Sequence, residues 1–152
     1  MSNRASLLDD STRLMRDFMT YAVLFQDAVA RAAGLTASDL QALGLLINEG
    51  PTSTGTLASR TGISAGGGIT QLVDRLESAG FVRRERSATD RRRVLVAPVV
   101  DEVQRRVGPL YARIASEWET YLSTLSDDDL RVCVDFMAAA VEINRRHVED
   151  SA

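Results

Sequence analysis

Residues 53–97 read STGTLASRTGISAGGGITQLVDRLESAGFVRRERSATDRRRVLVA, and this stretch decides the fold. Ser53 can cap a short helix, Thr54 to Thr61, whose buried side is Leu57 and Ala58. Gly62-Ile63-Ser64 is a tight turn, with glycine for the backbone reversal and Ser64 as the next N-cap. Ile69, Leu72, Val73 and Leu76 then fall at i, i+3, i+4 and i+7, the stripe of an amphipathic helix. Gly80 closes that helix, and Phe81 is placed to fold back on Leu76 in a Schellman ending. The stripe leaves Ala65, Gly67, Thr70, Gln71, Asp74 and Arg75 facing outward, and small, hydrogen-bonding groups of this kind suit a DNA major groove. Phe81 to Arg86 and Arg92 to Ala97 predict a hairpin with Ser87 to Arg91 at its tip and Val94 and Val96 on one β-branched face.

Working outward, residues 12–33 place Leu14, Phe18, Tyr21, Ala22, Phe25, Val29 and Ala32 at helical spacing, with Gly34 to end the helix. Thr36 and Asp39 form a capping-box-like TxxD before Leu40, Leu43, Leu46 and Ile47, and Gly50-Pro51 stops this second helix. Downstream, Val99, Val103, Val107, Leu110, Ile114, Trp118, Tyr121 and Leu125 predict one long helix, which Gly108-Pro109 should kink or split. Ser126 followed by Asp127, Asp128 and Asp129 starts a last helix carrying Leu130, Val134, Met137, Val141 and Val148. The expected fold is mainly α with a small β-hairpin: a winged helix-turn-helix DNA-binding lobe, plus a helical hub drawn from both termini.

The 152 residues suit one domain, 1–152, with a core large enough to need no covalent staple. Apolar residues make up 45% and charged residues 26%, values of an ordinary folded chain and not a disordered one. No apolar run reaches the ~18 residues of a membrane span, and residues 1–20 lack the layout of a signal peptide. A single cysteine, Cys133, cannot close a disulfide within the chain, so the expected home is a reducing cytoplasm.

Net charge is −3, yet the charge is segregated. Every basic residue is arginine, and Arg60 to Arg93 hold eight arginines against four acids, while the rest of the chain is strongly acidic. One basic block in an acidic molecule is the electrostatic footprint of nucleic-acid binding.

These motifs together resemble the MarR family of winged helix regulators. The matching residues are 57–64 (LASRTGIS), 69–84 (ITQLVDRLESAGFVRR) and 89–96 (TDRRRVLV), and the likeness spans about 14–148. The resemblance implies a homodimeric transcription factor, usually a repressor, with 12–33 and 99–148 as dimerisation helices and 36–97 as the DNA-binding lobe. It implies a near-palindromic double-stranded operator, with Ser64, Gly67, Thr70, Gln71 and Arg75 at the major groove or its phosphates. In such proteins a wing aspartate salt-bridges an arginine that enters the minor groove; carried over, these are Asp90 and Arg92, with Arg91 also at the tip. It further implies a cleft between hub and lobe for a small phenolic or lipophilic effector, where Phe18, Tyr21, Phe25, Tyr111 and Trp118 are the aromatic candidates, unless they are simply core and dimer packing.

The departure from the family is Gly66-Gly67-Gly68 at the opening of the reading helix. Interior glycines cost about 0.8–1 kcal/mol each relative to alanine, so this turn is either open for a phosphate or merely frayed. Arg75 reads either as a phosphate contact or as an ion pair with Asp74 or Glu77, and Arg93 sits where a strand begins. Cys133, between Val132 and Val134, reads as a buried free thiol; the thiol-sensing members carry their cysteine in the first helix, where this chain has none. His147 has no ligand cluster around it, so no metal or other cofactor is expected. No nucleophile–histidine pair or phosphate loop supports an enzyme. A winged helix that docks an acidic protein partner is the alternative.

Overall fold

The computed structural model describes residues 3–150. In chain order these form α1 (Asn3–Ala32), α2 (Ala37–Glu49), α3 (Thr54–Thr61), α4 (Gly67–Ser78), β1 (Val82–Arg86), β2 (Val94–Pro98), α5 (Val100–Arg106), α6 (Gly108–Leu122) and α7 (Asp127–Asp150). The architecture is mainly helical with a two-stranded antiparallel hairpin, as the pattern predicts.

Helix α1 starts nine residues before the expected Ser11–Thr12 boundary. Nothing between Asn3 and Ala32 is glycine or proline, and adding residues to an existing helix is far easier than nucleating one. Helix α2 opens with the expected capping box: Thr36 Oγ1 accepts from the Asp39 N–H, and Asp39 Oδ2 accepts from the Thr36 N–H, both at 3.1 Å. Ser53 caps α3 by accepting the Thr56 N–H.

Helix α4 begins later than the sequence suggests. Ser64 is not its N-cap; Gly66 occupies that place without a side-chain bond, and the Ser64 carbonyl accepts a long 3.3 Å bond from Ile69. Three successive glycines lower the return on winding this turn, so the helix starts inside the triplet. Its end is as expected: Gly80 adopts φ +82°, the Phe81 N–H donates to Leu76 O, and the Gly80 N–H donates to Glu77 O.

The hairpin pairs Val82 with Pro98, Arg84 with Val96 and Arg86 with Val94. Each strand starts later than predicted: Phe81 is taken by the Schellman ending, and Arg92 and Arg93 belong to the tip. An isolated bridge from Thr52 to Val96 adds a third backbone partner beside β2. Val96 is wholly buried, whereas Val94, further out along the wing, is exposed.

The predicted long helix is split at Val107, which turns inward into the core while Pro109 enters the first turn of α6. The core gathers Leu43, Leu46, Leu57, Ile69, Leu72, Val73, Leu76, Phe81 and Val96. By contrast α6 contributes no buried residue, and α7 exposes Val132, Val134, Phe136, Met137, Val141 and Ile143. Cys133 is half-buried in this face, not enclosed as expected, because α7 lies outside the core cluster.

One long-range ion pair ties the first helix of the lobe to α4. Arg75 Nη2 donates to Asp39 Oδ1 at 2.8 Å, and the Asp39 side chain is only 4% exposed. Burial alone would raise the Asp39 carboxyl, but hydrogen bonds from Arg75 and Thr36 and the Arg75 charge outweigh it and hold the group below its ordinary 3.8. A carboxyl lowered in this way stabilises the fold above the unfolded value, and that contribution disappears as pH falls through the folded value. We therefore expect Asp39→Asn to lower the melting temperature at neutral pH, by an amount equivalent to about 1 kcal/mol. Thermal melts of both proteins down an acid series should converge below pH 3.8. A constant offset at every pH would show that the charge contributes nothing.

Candidate nucleic-acid interface

Four apolar side chains of α4, Ile69, Leu72, Val73 and Leu76, are buried, which fixes the opposite face toward solvent. There the structure brings Gly67, Thr70, Gln71, Asp74 and Arg75 together, all exposed, with Ala65 and Ser64 just ahead of the helix. The charges on this face are already matched. Arg75 is held by Asp39, a partner 36 residues away and neither of the two acids that spacing suggested. Asp74 and Glu77 instead share Arg84 of β1: Arg84 Nη2 lies 2.6 Å from Asp74 Oδ1, Nη1 meets Glu77, and the Arg84 N–H donates to Glu77 Oε1 at 3.0 Å. Asp74 and then Glu77 hold the Arg84 proton more firmly than usual, so this fork is permanently charged. What α4 offers outward is therefore mostly uncharged hydrogen-bonding chemistry.

The three glycines are not equivalent. A Cβ on Gly68 would come within 2.9 Å of Ser64 Oγ and 3.2 Å of Ile63 Cγ2, so this position packs against the turn. A Cβ on Gly66 would meet open space, and one on Gly67 only Gln71 Nε2 at 3.9 Å. Internal packing explains Gly68 and leaves Gly66 and Gly67 without a structural reason.

The wing tip is an ordered turn. Ser87, almost buried, accepts at Oγ from the N–H groups of Thr89 and Asp90, and its own N–H donates to Arg93 O at 3.0 Å. The Arg93 N–H returns to Asp90 O at 2.9 Å. The resemblance predicts a salt bridge from Asp90 to Arg92; here the Asp90 carboxylate accepts the Arg92 main-chain N–H at 3.0 Å instead. Asp90 thus shapes the loop under Arg92, and the guanidinium is left outward. Arg83 pairs with Glu85, and Arg86 donates to the Arg91 carbonyl. Among the described residues the guanidinium groups of Arg91, Arg92 and Arg93 pair with no carboxylate, which concentrates positive charge at the tip against the single acid Asp90.

All five aromatic candidates line one cavity. Phe18, Tyr21 and Phe25 of α1 face Tyr111 and Trp118 of α6 across a groove of about 690 Å³, whose described lining holds no charged side chain. Phe25 and Tyr111 stack edge to face at 5.5 Å, and the Tyr111 hydroxyl donates to Gln26 Oε1 at 2.6 Å. Burial raises the Tyr111 hydroxyl above its usual titration range, so it remains a donor at neutral pH. Gln26 and Tyr111 also border a second cavity of about 760 Å³ reaching Leu40, Gly44 and Val107.

Four residues that matter here escape sequence reading as site residues. Asp39 is legible as a cap but not as the partner of Arg75. Ser87 and Arg84 gain their roles from the hairpin, and Arg106 from the return of α5 onto the end of α4, where its guanidinium lies 4.0 Å over the Phe81 ring and donates to Ala79 O at 2.7 Å. Only the Ser87–Thr89–Asp90 run carries a turn signal that could have been used.

Comparison with known proteins agrees with this geometry. The MarR family model matches residues 33–93. The chain is 32% identical over 148 residues to the uncharacterized HTH-type transcriptional regulator YcgE of Bacillus subtilis (strain 168), a span of 97% of this chain and 95% of that one. It is 27% identical over 104 residues to the HTH-type transcriptional regulator MhqR of the same organism, covering 68% of this chain and 70% of the other. In fold it is similar to the transcriptional regulator Tm0710 of Thermotoga maritima, with TM-score 0.65, 22% identity and coverage of 91% and 96%. A MarR family protein of Bacillus stearothermophilus aligns with TM-score 0.65 at 20% identity, covering 97% of this chain and 98% of that one. With its helix-turn-helix, its arginine wing and a relative matching along nearly its whole length, the chain belongs to the MarR family of DNA-binding, HTH-type transcriptional regulators.

Proposed function

We propose that this regulator is a cytoplasmic homodimeric repressor that binds a near-palindromic operator and is released by a small uncharged phenolic or lipophilic effector. The observation that carries the DNA geometry is the pairing of a charge-balanced outward face on α4 with a tip of three arginines whose guanidinium groups pair with no carboxylate. In this reading residues 36–97 are the DNA-binding lobe, and 12–33 with 99–148 form the hub of a single domain. Gly67 lets a phosphate approach the first turn of α4, where free N–H groups point outward. Ser64 adds a hydroxyl beside it. Thr70 and Gln71 read base edges, glutamine being able to pair with both edges of adenine. Arg75 meets a phosphate. Arg91 and Arg92 enter the minor groove, where a narrow groove concentrates negative potential, and Asp90 sets the loop that aims them.

The exposed apolar faces of α1 and α7 support the homodimer: Leu14, Phe18, Tyr21 and Leu24 on the first, Phe136, Met137 and Val141 on the second. Surfaces of this extent are interaction sites in soluble proteins. The aromatic groove supports the effector, with Tyr111 and Gln26 as its polar handle. An effector acts by binding more tightly to an arrangement of the lobes that does not fit successive grooves.

Selection from random duplex DNA tests the operator: a two-fold symmetric site with half-sites about one helical turn apart is expected, and no enrichment would favour an acidic protein partner instead. Arg91→Ala and Arg92→Ala should each weaken binding on all sequences and flatten its salt dependence by roughly one ion per subunit. Gly67→Ala should raise thermal stability, by up to about 1 kcal/mol, while weakening DNA binding; unchanged affinity would remove the close-approach role. Sedimentation equilibrium should give twice the chain mass for the wild type, and Phe136→Asp with Val141→Asp should shift it toward a single chain.

A further inference from the structure

We propose that Asp39 is a positioning residue for DNA binding: from the lobe's first helix it fixes Arg75 of α4 so that the free edge of the guanidinium meets a DNA phosphate. The pair is anchored at one end and presented at the other, with the Asp39 side chain 4% exposed and that of Arg75 51% exposed. The carboxylate cannot turn, because Oδ2 is held by the Thr36 N–H at 3.1 Å while Oδ1 takes Arg75 Nη2 at 2.8 Å. A guanidinium carries five N–H donors in a rigid plane, so once one nitrogen is fixed the direction of the others is fixed too. Arg75 makes no other hydrogen bond or ion pair among the described residues, and it stands one turn beyond Gln71 on the outward face. Without Asp39 this long side chain would lose rotamer freedom on meeting DNA; with it, that freedom is lost on folding. The acid contributes little repulsion of its own, since Arg75 covers it from the solvent side.

This inference rests on the reading of Arg75 as a phosphate contact, and the test separates the two. A mixed-sequence duplex is titrated over a salt series with the full-length wild type, Arg75→Ala, Asp39→Asn, the double variant and Thr36→Ala. Thr36→Ala removes the other half of the capping box and leaves the ion pair, so it controls for stability. Arg75→Ala and Asp39→Asn should each weaken binding about five- to tenfold and reduce the salt slope by about one per subunit. The double variant should be no weaker than Arg75→Ala, and Thr36→Ala should keep the wild-type slope. A wild-type slope in Asp39→Asn, or the same loss in Thr36→Ala, would reduce Asp39 to a helix cap. A steeper slope in Asp39→Asn would mean that the carboxylate masks Arg75 and does not aim it. If Arg75→Ala itself binds like wild type, the phosphate contact fails and this proposal fails with it.

Discussion

The lobe turns on the placement of Phe81, which has none of its surface exposed. Its N–H donates to Leu76 O and ends α4; its carbonyl accepts the Val99 N–H at 2.9 Å and holds the chain as it leaves β2 for α5. Its ring lies beneath Arg106, whose guanidinium also satisfies the Ala79 carbonyl at the end of α4. Helix α4, the root of the hairpin and the short helix α5 are therefore joined at one aromatic. Interiors are packed too densely for one of the three to shift alone. Loss of a fully buried phenylalanine costs about 3–5 kcal/mol, so the joint that aims the wing is also a large share of what keeps the lobe folded.

Around this joint the charges are arranged in a way that net charge conceals. A molecule of charge −3 meets a polyanion, and screening limits the relevant distance to about 8 Å at physiological salt, so the local pattern decides. On α4 the pattern is neutral: Asp39 answers Arg75, and Arg84 answers Asp74 and Glu77. At the tip it is positive, three guanidinium groups against the one carboxylate of Asp90. The same Arg84 that neutralises the helix binds the wing to it, so the element carrying charge and the element carrying hydrogen-bonding groups keep a fixed relation.

Much of this was legible in order and not in contact. The stripe Ile69–Leu72–Val73–Leu76, the Thr36–Asp39 box, Ser53 and the Gly80–Phe81 ending are local signals, set by residues within one turn of one another, and they recur in the structure as read. Ser64 misled because its capping pattern is local too, but it competes with three glycines whose backbone entropy the pattern ignores. The expected Asp90–Arg92 salt bridge is replaced by a bond from the Arg92 main chain to the same carboxylate. A sequence shows that an acid lies two positions from an arginine and cannot show that the main chain claims it first. Asp39 with Arg75, Thr52 with Val96 and Arg106 with Phe81 lie 25 or more residues apart, and only the fold brings them together.

The two ends of the chain obey a different rule from the middle. The middle of the chain shares one core with Val29 and Ala30 of α1 and with Val107, whereas α6 buries no residue and α7 turns valines, Phe136 and Met137 to solvent. Helices gain most of their stability from packing an apolar face, so an amphipathic helix of 24 residues with that face uncovered is an incomplete structure on its own. The link between these regions is short. Seven residues of α5 separate β2 from the Val107–Pro109 break, Val107 is seated in the lobe's core, and Arg106 beside it rests on Phe81. The residues that precede α6 are therefore seated on the same aromatic that ends α4. The aromatic groove between α1 and α6 lies on the far side of that break, close enough to Val107 to share Tyr111 and Gln26 with the cavity that reaches it. Tyr111, in the first turn of α6, therefore borders both cavities, and one helical turn separates the aromatic groove from the residue seated in the core.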